Sequence, residues 1–158
     1  MHVEKFNADL IERYLELRRL RFNRAGNGRE WVVAMRGERC KMRVRLRISG
    51  SKRNILTLRA TPTDHYQATQ RQRLMELVNK WNHDTRWPKA YVRETSSPDR
   101  VGVVAENCYP LMDGIHFEAF TRYIDYTIGG AAELFDTISQ GIELPSAHTL
   151  DLWLRNDD

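Results

Sequence analysis

Residues 41–48 of this chain read KMRVRLRI, a stretch in which every second residue is apolar. A period of two places successive side chains on opposite faces of a β-strand. We therefore expect a strand with one face in a core and the other face exposed and basic. The basic residues of that face are Lys41, Arg43, Arg45 and Arg47.

The flanking sequence predicts two further strands. Apolar residues also alternate over residues 31–35. On the other side, a turn at Gly50-Ser51 leads into an extended run over residues 54–61. Short connections join antiparallel neighbours, so we expect these three segments to be consecutive strands of one sheet.

Helical periodicity appears before and after these strands. Apolar residues recur at three- and four-residue steps over residues 8–20, with Asn7 placed as the N-cap. Asp64 and Gln67 have the spacing of a helix start, and the helix that follows is expected to end at Asn82.

A hairpin and a long helix complete the predicted fold. Residues 89–95 and 100–107 flank a turn and predict two more strands. The last helix is expected to begin near Ile115, and its apolar stripe comprises Phe117, Phe120, Ile124, Ile128, Ala131, Phe135 and Ile138. The predicted class is α+β, an antiparallel sheet of about five strands with N-terminal, central and long C-terminal helices in the order α-β-β-β-α-β-β-α.

Gly129 and Gly130 interrupt the apolar pattern of the last helix. Each glycine in a helix interior costs about 1 kcal/mol relative to alanine, so we expect a bend or a close helix contact there. The domain is expected to span residues 1–140. Residues 141–158 then form a C-terminal tail, interpreted as a short docked segment or helix, with an apolar group of Leu150, Leu152, Trp153 and Leu154.

Length and charge limit the functional classes. A chain of 158 residues has the size of one domain with one hydrophobic core. Residues 1–60 hold 16 Lys and Arg against 6 Asp and Glu, and residues 61–158 hold 9 against 15, within a formal net charge of +4. A basic and an acidic part suit electrostatic pairing with a partner or with a second copy of the chain.

No sequence pattern indicates catalysis, a cofactor or a metal. The five histidines are scattered, without metal-ligand spacing. His83 and Asp84 are the nearest approach to an acid–base pair, but adjacent helical residues do not share a face and no nucleophile motif accompanies them. Residues 26–28, GNG, lack the lysine of a phosphate loop and the third glycine of a dinucleotide fingerprint. We therefore expect no enzymatic activity; the alternative is an enzyme whose site forms only across a dimer.

The cysteines and the N-terminus predict a reduced, cytoplasmic protein. Cys40 and Cys108 lie far apart without a second ligand pair, so we expect reduced, partly buried thiols. No stretch approaches the roughly 20 apolar residues of a membrane-spanning helix. Glu4, Lys5 and Asp9 stand where a signal peptide would have its apolar segment.

The basic face of residues 41–48 has two interpretations. Its side chains lie roughly 6.6 Å apart on an extended strand and could meet the phosphates of a nucleic acid. Alternatively, they protect a solvent-facing sheet or face acidic groups of a neighbouring element or partner. We favour this second interpretation, and the lack of interleaved aromatic residues argues against stacking of single-stranded bases.

Residues 79–92, NKWNHDTRWPKAYV, predict a rigid corner between a helix and a strand. Trp81 lies on the apolar stripe, and Asn82 can adopt the left-handed conformation that closes a helix. Pro88 fixes the entry to the next strand. Both Trp81 and Trp87 are expected in or near the core, with partner binding as the alternative role for Trp87.

At this corner the sequence resembles the YbjN family of bacterial sensory transduction regulators. The family's hallmark is an Asn-x-Trp-Asn run at a helix end, followed by a Pro-Lys-Ala strand start. The matching residues are Asn79, Trp81, Asn82, Pro88, Lys89 and Ala90, and the order of elements also matches over about residues 6–140. The resemblance implies a fold like the type III secretion chaperones, and binding or regulation without enzymatic activity. The Gly129-Gly130 pair and the tail after Gly141 depart from the family pattern.

We therefore predict a chaperone-like or regulatory binding module, a homodimer that engages a protein partner. The residues assigned to partner binding are Lys41, Arg43, Arg45, Arg47 and Trp87. Those assigned a structural role in the corner are Asn79, Trp81, Asn82 and Pro88. The alternative function is a nucleic-acid-binding regulator that uses the basic strand face Lys41–Arg47.

Overall fold

The structure is a computed structural model that describes residues 2–142. The tail predicted for residues 143–158 therefore lies outside the described residues. Residues 2–142 contain three α-helices: α1 (Ala8–Leu17), α2 (Arg71–Asp84) and α3 (Phe117–Gly141). They also contain nine strands: β1 (Val3–Glu4), β2 (Asn23–Ala25), β3 (Glu30–Arg36), β4 (Lys41–Ser49), β5 (Ile55–Pro62), β6 (Tyr66–Gln67), β7 (Lys89–Glu94), β8 (Arg100–Pro110) and β9 (Ile115–His116).

The main sheet is antiparallel and has the order β2-β3-β4-β5-β8, with β6 and β7 both pairing with β8. The five predicted strands are β3, β4, β5, β7 and β8, which confirms the α+β class and the order of the main elements. The other strands have two or three residues each, too few for a period of two to be visible in the sequence.

One hydrophobic core lies between the three helices and one face of the sheet. From β4 it takes Met42, Val44 and Leu46, none more than 2% exposed, whereas the alternate residues of the same strand are exposed. The core residues of the helices include Leu10 and Ile11 of α1, Leu74 and Val78 of α2, and Phe120, Ile124 and Phe135 of α3. The helices thus cover one face of the sheet and leave the basic face of β4 open.

The first helix begins as predicted and ends earlier. The Asn7 side chain accepts a hydrogen bond from the Leu10 amide at 3.3 Å, so the predicted N-cap is confirmed. The helix ends at Leu17 instead of residue 20. Arg19 has a φ of +55°, the left-handed conformation, which stops the helix before its apolar pattern ends.

The predicted boundaries of the central helix are wrong at both ends. Tyr66 and Gln67 belong to β6 and pair with β8, so the helix starts only at Arg71, after a one-turn 3-10 helix over residues 68–70. The helix also continues through Asn82 to Asp84. The amide and hydroxyl of Thr85 both donate to the Trp81 carbonyl, at 2.9 and 2.7 Å, and close it.

The long helix begins at Phe117, because Ile115 and His116 pair with β1 instead of starting the helix. It continues without interruption through Gly129 and Gly130 to Gly141. Phe120, Ile124, Ala131, Phe135 and Ile138 of the predicted stripe are buried, and Phe117 and Ile128 are half-buried against the core.

Both cysteines are free thiols. Cys40 is buried, and burial raises the pKa of its thiol to about 12. Cys108 is exposed, which corrects the prediction of a partly buried thiol. It lies on β8 in the same row as Thr57 and therefore faces the open side of the sheet.

Candidate partner-binding surfaces

The open face of the sheet carries the four basic side chains predicted from the alternating stretch. Lys41, Arg43, Arg45 and Arg47 are all exposed, as expected. The register of β4 and β5 places Arg45 opposite Arg59. Over β3, β4 and β5 this face holds one carboxylate, Glu30, and six cationic residues: Arg36, Lys41, Arg43, Arg45, Arg47 and Arg59.

A row of charges crosses the middle of this face. Arg45 Nη1 lies 2.7 Å from Glu30 Oε1, and Arg59 Nη2 lies 2.7 Å from Glu106 Oε2. Lys89 Nζ is 3.3 Å from the other oxygen of Glu106. Burial raises the pKa of Glu106, but Arg59 and Lys89 outweigh it and hold the pKa below its usual value. Glu106 therefore stays ionised, and its negative charge lies between those of Arg59 and Lys89 in the middle of the row.

Three cations of β4 flank this row. Within residues 2–142, Lys41, Arg43 and Arg47 make no ion pair. The large exposed hydrophobic residues of the described chain lie elsewhere, and none of them belongs to β3, β4 or β5. This open face is therefore basic and polar, without an apolar centre.

The corner between α2 and β7 is held by side-chain hydrogen bonds. The buried Trp81 donates from Nε1 to the Pro88 carbonyl at 2.9 Å. The Asn82 amide donates to the Ala90 carbonyl and accepts from the Ala90 amide, both at 3.0 Å. Asn82, a residue of α2, thus hydrogen-bonds to the free edge of β7. It does not end the helix, which corrects the role predicted from the sequence. The Trp87–Pro88 peptide bond is cis.

Asn79 has no such role in the described structure. Its side chain is exposed on α2 and makes no hydrogen bond within residues 2–142. Nothing in the structure explains its place in the motif. Trp81, Asn82 and Pro88 therefore carry the structural role that the sequence assigned to all four corner residues.

Trp87 is 48% exposed, so its predicted place in or near the core is wrong. Its backbone packs against α3 at Gly130, where a Cβ atom would lie 3.3 Å from the Trp87 carbonyl oxygen and 2.7 Å from Pro88 Cδ. The predicted close contact at the glycine pair therefore exists, but it is made with this corner and not with another helix. The absence of a side chain at Gly130 lets the corner approach α3.

Three exposed aromatic side chains and the half-buried Tyr109 lie together on the helical side of the molecule. The Trp87 and Tyr126 ring centroids are 6.4 Å apart, and Tyr109 stacks on Tyr123 at 4.6 Å. Tyr123 and Tyr126 are three residues apart on α3 and therefore neighbours on its surface. Tyr126 is 56% exposed and Tyr123 38%. We call Trp87, Tyr126, Tyr123 and Tyr109 the aromatic strip.

Hydrogen bonds hold the Tyr109 end of the strip in place. The Tyr109 hydroxyl lies 2.8 Å from Thr127 Oγ1, and the Asn107 amide donates to both groups, at 3.0 and 3.1 Å. Thr127 is 1% exposed. Asp125, which precedes Tyr126 on α3, forms an ion pair with Arg18 at 2.5 Å.

Two further sets of residues are candidates for a chemical site: the His83–Asp84 pair and the side chains that could hold a metal. His83 Nδ1 lies 2.8 Å from Asp84 Oδ1, so these neighbours do contact each other, contrary to the sequence argument about helix faces, but both are exposed at the end of α2. No three His, Cys, Asp or Glu side chains within residues 2–142 are grouped to hold a metal ion. None of the three described helices is long and apolar enough to cross a membrane.

Sequence reasoning missed most of the aromatic strip and the charge row. Tyr123 and Tyr126 lie off the apolar stripe of α3, and their i, i+3 spacing on the solvent side was the available signal. Glu106 and Arg59 meet only through the register of β5 and β8, 47 residues apart in sequence, and no local pattern reveals such a pair.

Comparison with known proteins finds a matching family and similar solved structures. The model of the YbjN family, described as “Putative bacterial sensory transduction regulator”, matches residues 7–140. The chain is similar in structure to YbjN from E. coli, described as “a putative transcription regulator”, with a TM-score of 0.71 and 12% identity over 92% of this chain and 100% of that chain. At this identity the likeness shows the fold alone.

The second solved structure is an uncharacterized protein from Methanothermobacter thermautotrophicus. It has a TM-score of 0.49 and 8% identity, and the match covers 84% of this chain and 96% of that chain. None of the curated proteins matches the sequence.

Proposed function

Because the chain belongs to the YbjN family, we propose that it is a regulatory domain that binds a protein partner at the aromatic strip. The observation that supports this proposal is the exposure of two rings side by side, Trp87 on the corner and Tyr126 on α3. Aromatic residues are enriched among the side chains that carry most of the energy of protein interfaces. Regulation by binding alone requires no chemical step, so we also propose that the chain has no enzymatic activity.

Rigidity strengthens the case for binding at the strip. The backbone of Trp87 is fixed from below by Gly130 and Pro88, and the Tyr109 hydroxyl is tied to Thr127. A surface that is already ordered loses little conformational entropy when a partner binds.

The size of the strip favours a short apolar segment of another protein as the partner. The exposed parts of Trp87, Tyr126 and Tyr123 amount to on the order of 300 Å². A stable dimer of standard size buries about 800 Å² on each partner. The strip alone therefore fits a few apolar side chains of a partner segment, and a homodimer would require additional surface. The cytoplasmic location expected from the sequence belongs to the same proposal.

Affinity capture followed by quantitative binding tests this function. The full chain is used to isolate proteins from a bacterial lysate, and each captured protein is titrated against W87A, Y126A and M75A variants. Met75 is a matched control, because its side chain is 55% exposed on α2 and lies outside the strip. Loss of a buried aromatic contact typically costs about 2 kcal/mol, so we expect at least tenfold weaker binding for W87A and Y126A. Equal affinity for all three variants would exclude the strip as the binding surface.

A further inference from the structure

On the open face, two of the cations that form no ion pair within residues 2–142 lie opposite hydroxyl groups of β5. Arg47 also lies opposite Glu30 of β3, but Glu30 pairs with Arg45 instead. The register of β4 and β5 places Thr61 opposite Arg43 and Thr57 opposite Arg47. Side chains directly opposite each other in an antiparallel pair have Cβ atoms about 5 Å apart. Each of these guanidinium groups therefore has a half-buried threonine beside it, on either side of the central charge row.

This combination of groups is suited to phosphate. Arginine, lysine and threonine side chains are common donors to the phosphate oxygens of nucleic acids. Lys41 lies next to Arg43 on the open face of β4. Three cations that form no ion pair among the described residues therefore lie along one strand. From Arg43 to Arg47 the strand spans about 13 Å, which lets the side chains reach more than one phosphate.

The composition of the face favours a nucleic acid over a protein. Protein interfaces have cores depleted of charge and enriched in aromatic residues. The open face over β3, β4 and β5 has the opposite character, with six cationic residues, one carboxylate and no large exposed hydrophobic residue. Interfaces with nucleic acids are more polar and much more positively charged, which is what this face offers.

Its shape and composition also favour the backbone of a duplex. Single strands bind by stacking their bases on exposed aromatic side chains, and β3, β4 and β5 expose none that is large. The major groove admits a helix or a two-stranded ribbon, whereas the main sheet has seven strands. The basic side chains can therefore reach the phosphates of a duplex without reading its base edges.

We propose that the open face of the sheet binds the phosphate backbone of duplex nucleic acid, with Lys41, Arg43 and Arg47 as the principal contacts and Thr57 and Thr61 as hydroxyl donors. Binding at this site is independent of base sequence and separate from the aromatic strip. The site extends the proposed regulatory function to a second class of macromolecule.

Fluorescence anisotropy with labelled 20-base-pair duplex DNA and duplex RNA tests the proposal. We expect the full chain to bind both duplexes, with similar affinity for unrelated sequences and weaker affinity for single strands. Each phosphate contact contributes about −0.9 to the slope of log K against log salt concentration. The variant K41Q/R43Q/R47Q should therefore bind at least tenfold more weakly at low salt and reduce the slope by about 3.

A matched control variant distinguishes duplex binding at this site from binding through the overall positive charge of the chain. The variant K5Q/R21Q/R86Q removes the same charge from exposed residues that lie outside β3, β4 and β5 and make no ion pair within the described part of the chain. We expect it, and W87A, to keep duplex binding within threefold of the unaltered chain. Circular dichroism confirms that each variant is folded, and T57V/T61V provides a second test that leaves every charge in place and should weaken binding severalfold.

Three results would overturn the proposal. The first is the absence of duplex binding by the full chain at 50 mM salt. The second is an equal loss of binding in the open-face variant and the control variant. The third is binding of a polyglutamate peptide at least as tight as that of the duplexes, which would assign the face to an acidic protein.

Discussion

Gly130 of α3 lies directly against Pro88 in the corner that carries the Trp87 ring, and a Cβ atom at residue 130 would come within 2.7 Å of Pro88 Cδ. Real Cβ atoms do not approach other atoms so closely. The proline ring cannot rotate away as a flexible side chain could. The glycine therefore sets how closely the corner packs on the helix.

The first prediction concerns this contact. Replacing Gly130 with alanine should lower the free energy of unfolding by about 1–3 kcal/mol, because the added methyl group forces the corner and the helix apart. The change should also weaken partner binding at the aromatic strip, because Trp87 moves with Pro88. Denaturant unfolding and a titration of the partner measure the two effects.

The neighbouring glycine provides the control for this experiment. Gly129 is exposed, and a Cβ atom there would have no neighbour within 4 Å. Replacing it with alanine removes only the unfavourable helix propensity of glycine and should stabilise the chain by up to about 1 kcal/mol. Equal effects of G129A and G130A would contradict the close packing at Pro88.

The second prediction concerns Asn82. Its amide satisfies both backbone groups of Ala90 on the free edge of β7. The variant N82A leaves these groups without their partners and should cost about 1–2 kcal/mol of stability. N82D should cost more, because a carboxylate oxygen then faces the Ala90 carbonyl.

Asn79 gives the matched control on the same helix. Its exposed side chain makes no hydrogen bond in the described structure, so N79A should change stability by less than about 0.5 kcal/mol. If N79A and N82A lose the same stability in urea, the assigned role of Asn82 is wrong.

The third prediction is a pH dependence that arises from Glu12. This carboxylate accepts hydrogen bonds from Arg24 Nη2 and Trp31 Nε1, both at 3.0 Å, and these bonds lower its pKa from 4.5 to about 2. A lowered pKa in the folded state means that the carboxylate contributes stability above pH 4.5. That contribution is lost as the pH falls from 4.5 towards 2.

The variant E12Q should therefore be less stable than the unaltered chain at pH 6 and equally stable near pH 2. The difference at pH 6 should be about 1 kcal/mol, because the Arg24 side chain is largely exposed and solvent screens the pair. Urea unfolding from pH 2 to 7 measures it. Glu16 lies on the same helix and makes no ion pair within residues 2–142, so E16Q should show no such pH dependence.

The parts of the fold in which apolar residues recur at a regular spacing could be predicted from the sequence. The alternation over residues 41–48 gave β4, its buried face and its exposed basic face, all of which are present. Asn7 was identified as an N-cap because capping depends on residues close in sequence. The central helix was misplaced because pairing of β6 with the distant β8 overrides the local signal at Asp64.

The candidate surfaces were predicted less completely. Arg43 and Arg47 were assigned to the right face, but their threonine neighbours depend on the strand register, which the sequence does not reveal. Trp87 was expected in or near the core, and partner binding was only its alternative role. The corner that carries Trp87 is positioned by the approach of Pro88 to Gly130, a tertiary contact between residues 42 positions apart.

Photo-crosslinking from position 126 tests the binding role of the aromatic strip most directly. A benzophenone amino acid replaces Tyr126 in the full chain produced in bacterial cells, and the same replacement at Met75 serves as the control. We predict a crosslinked adduct with another protein from position 126, none from position 75, and loss of the adduct when W87A is added. Adducts from both positions alike, an adduct with a second copy alone, or no adduct at all would contradict partner binding at the strip.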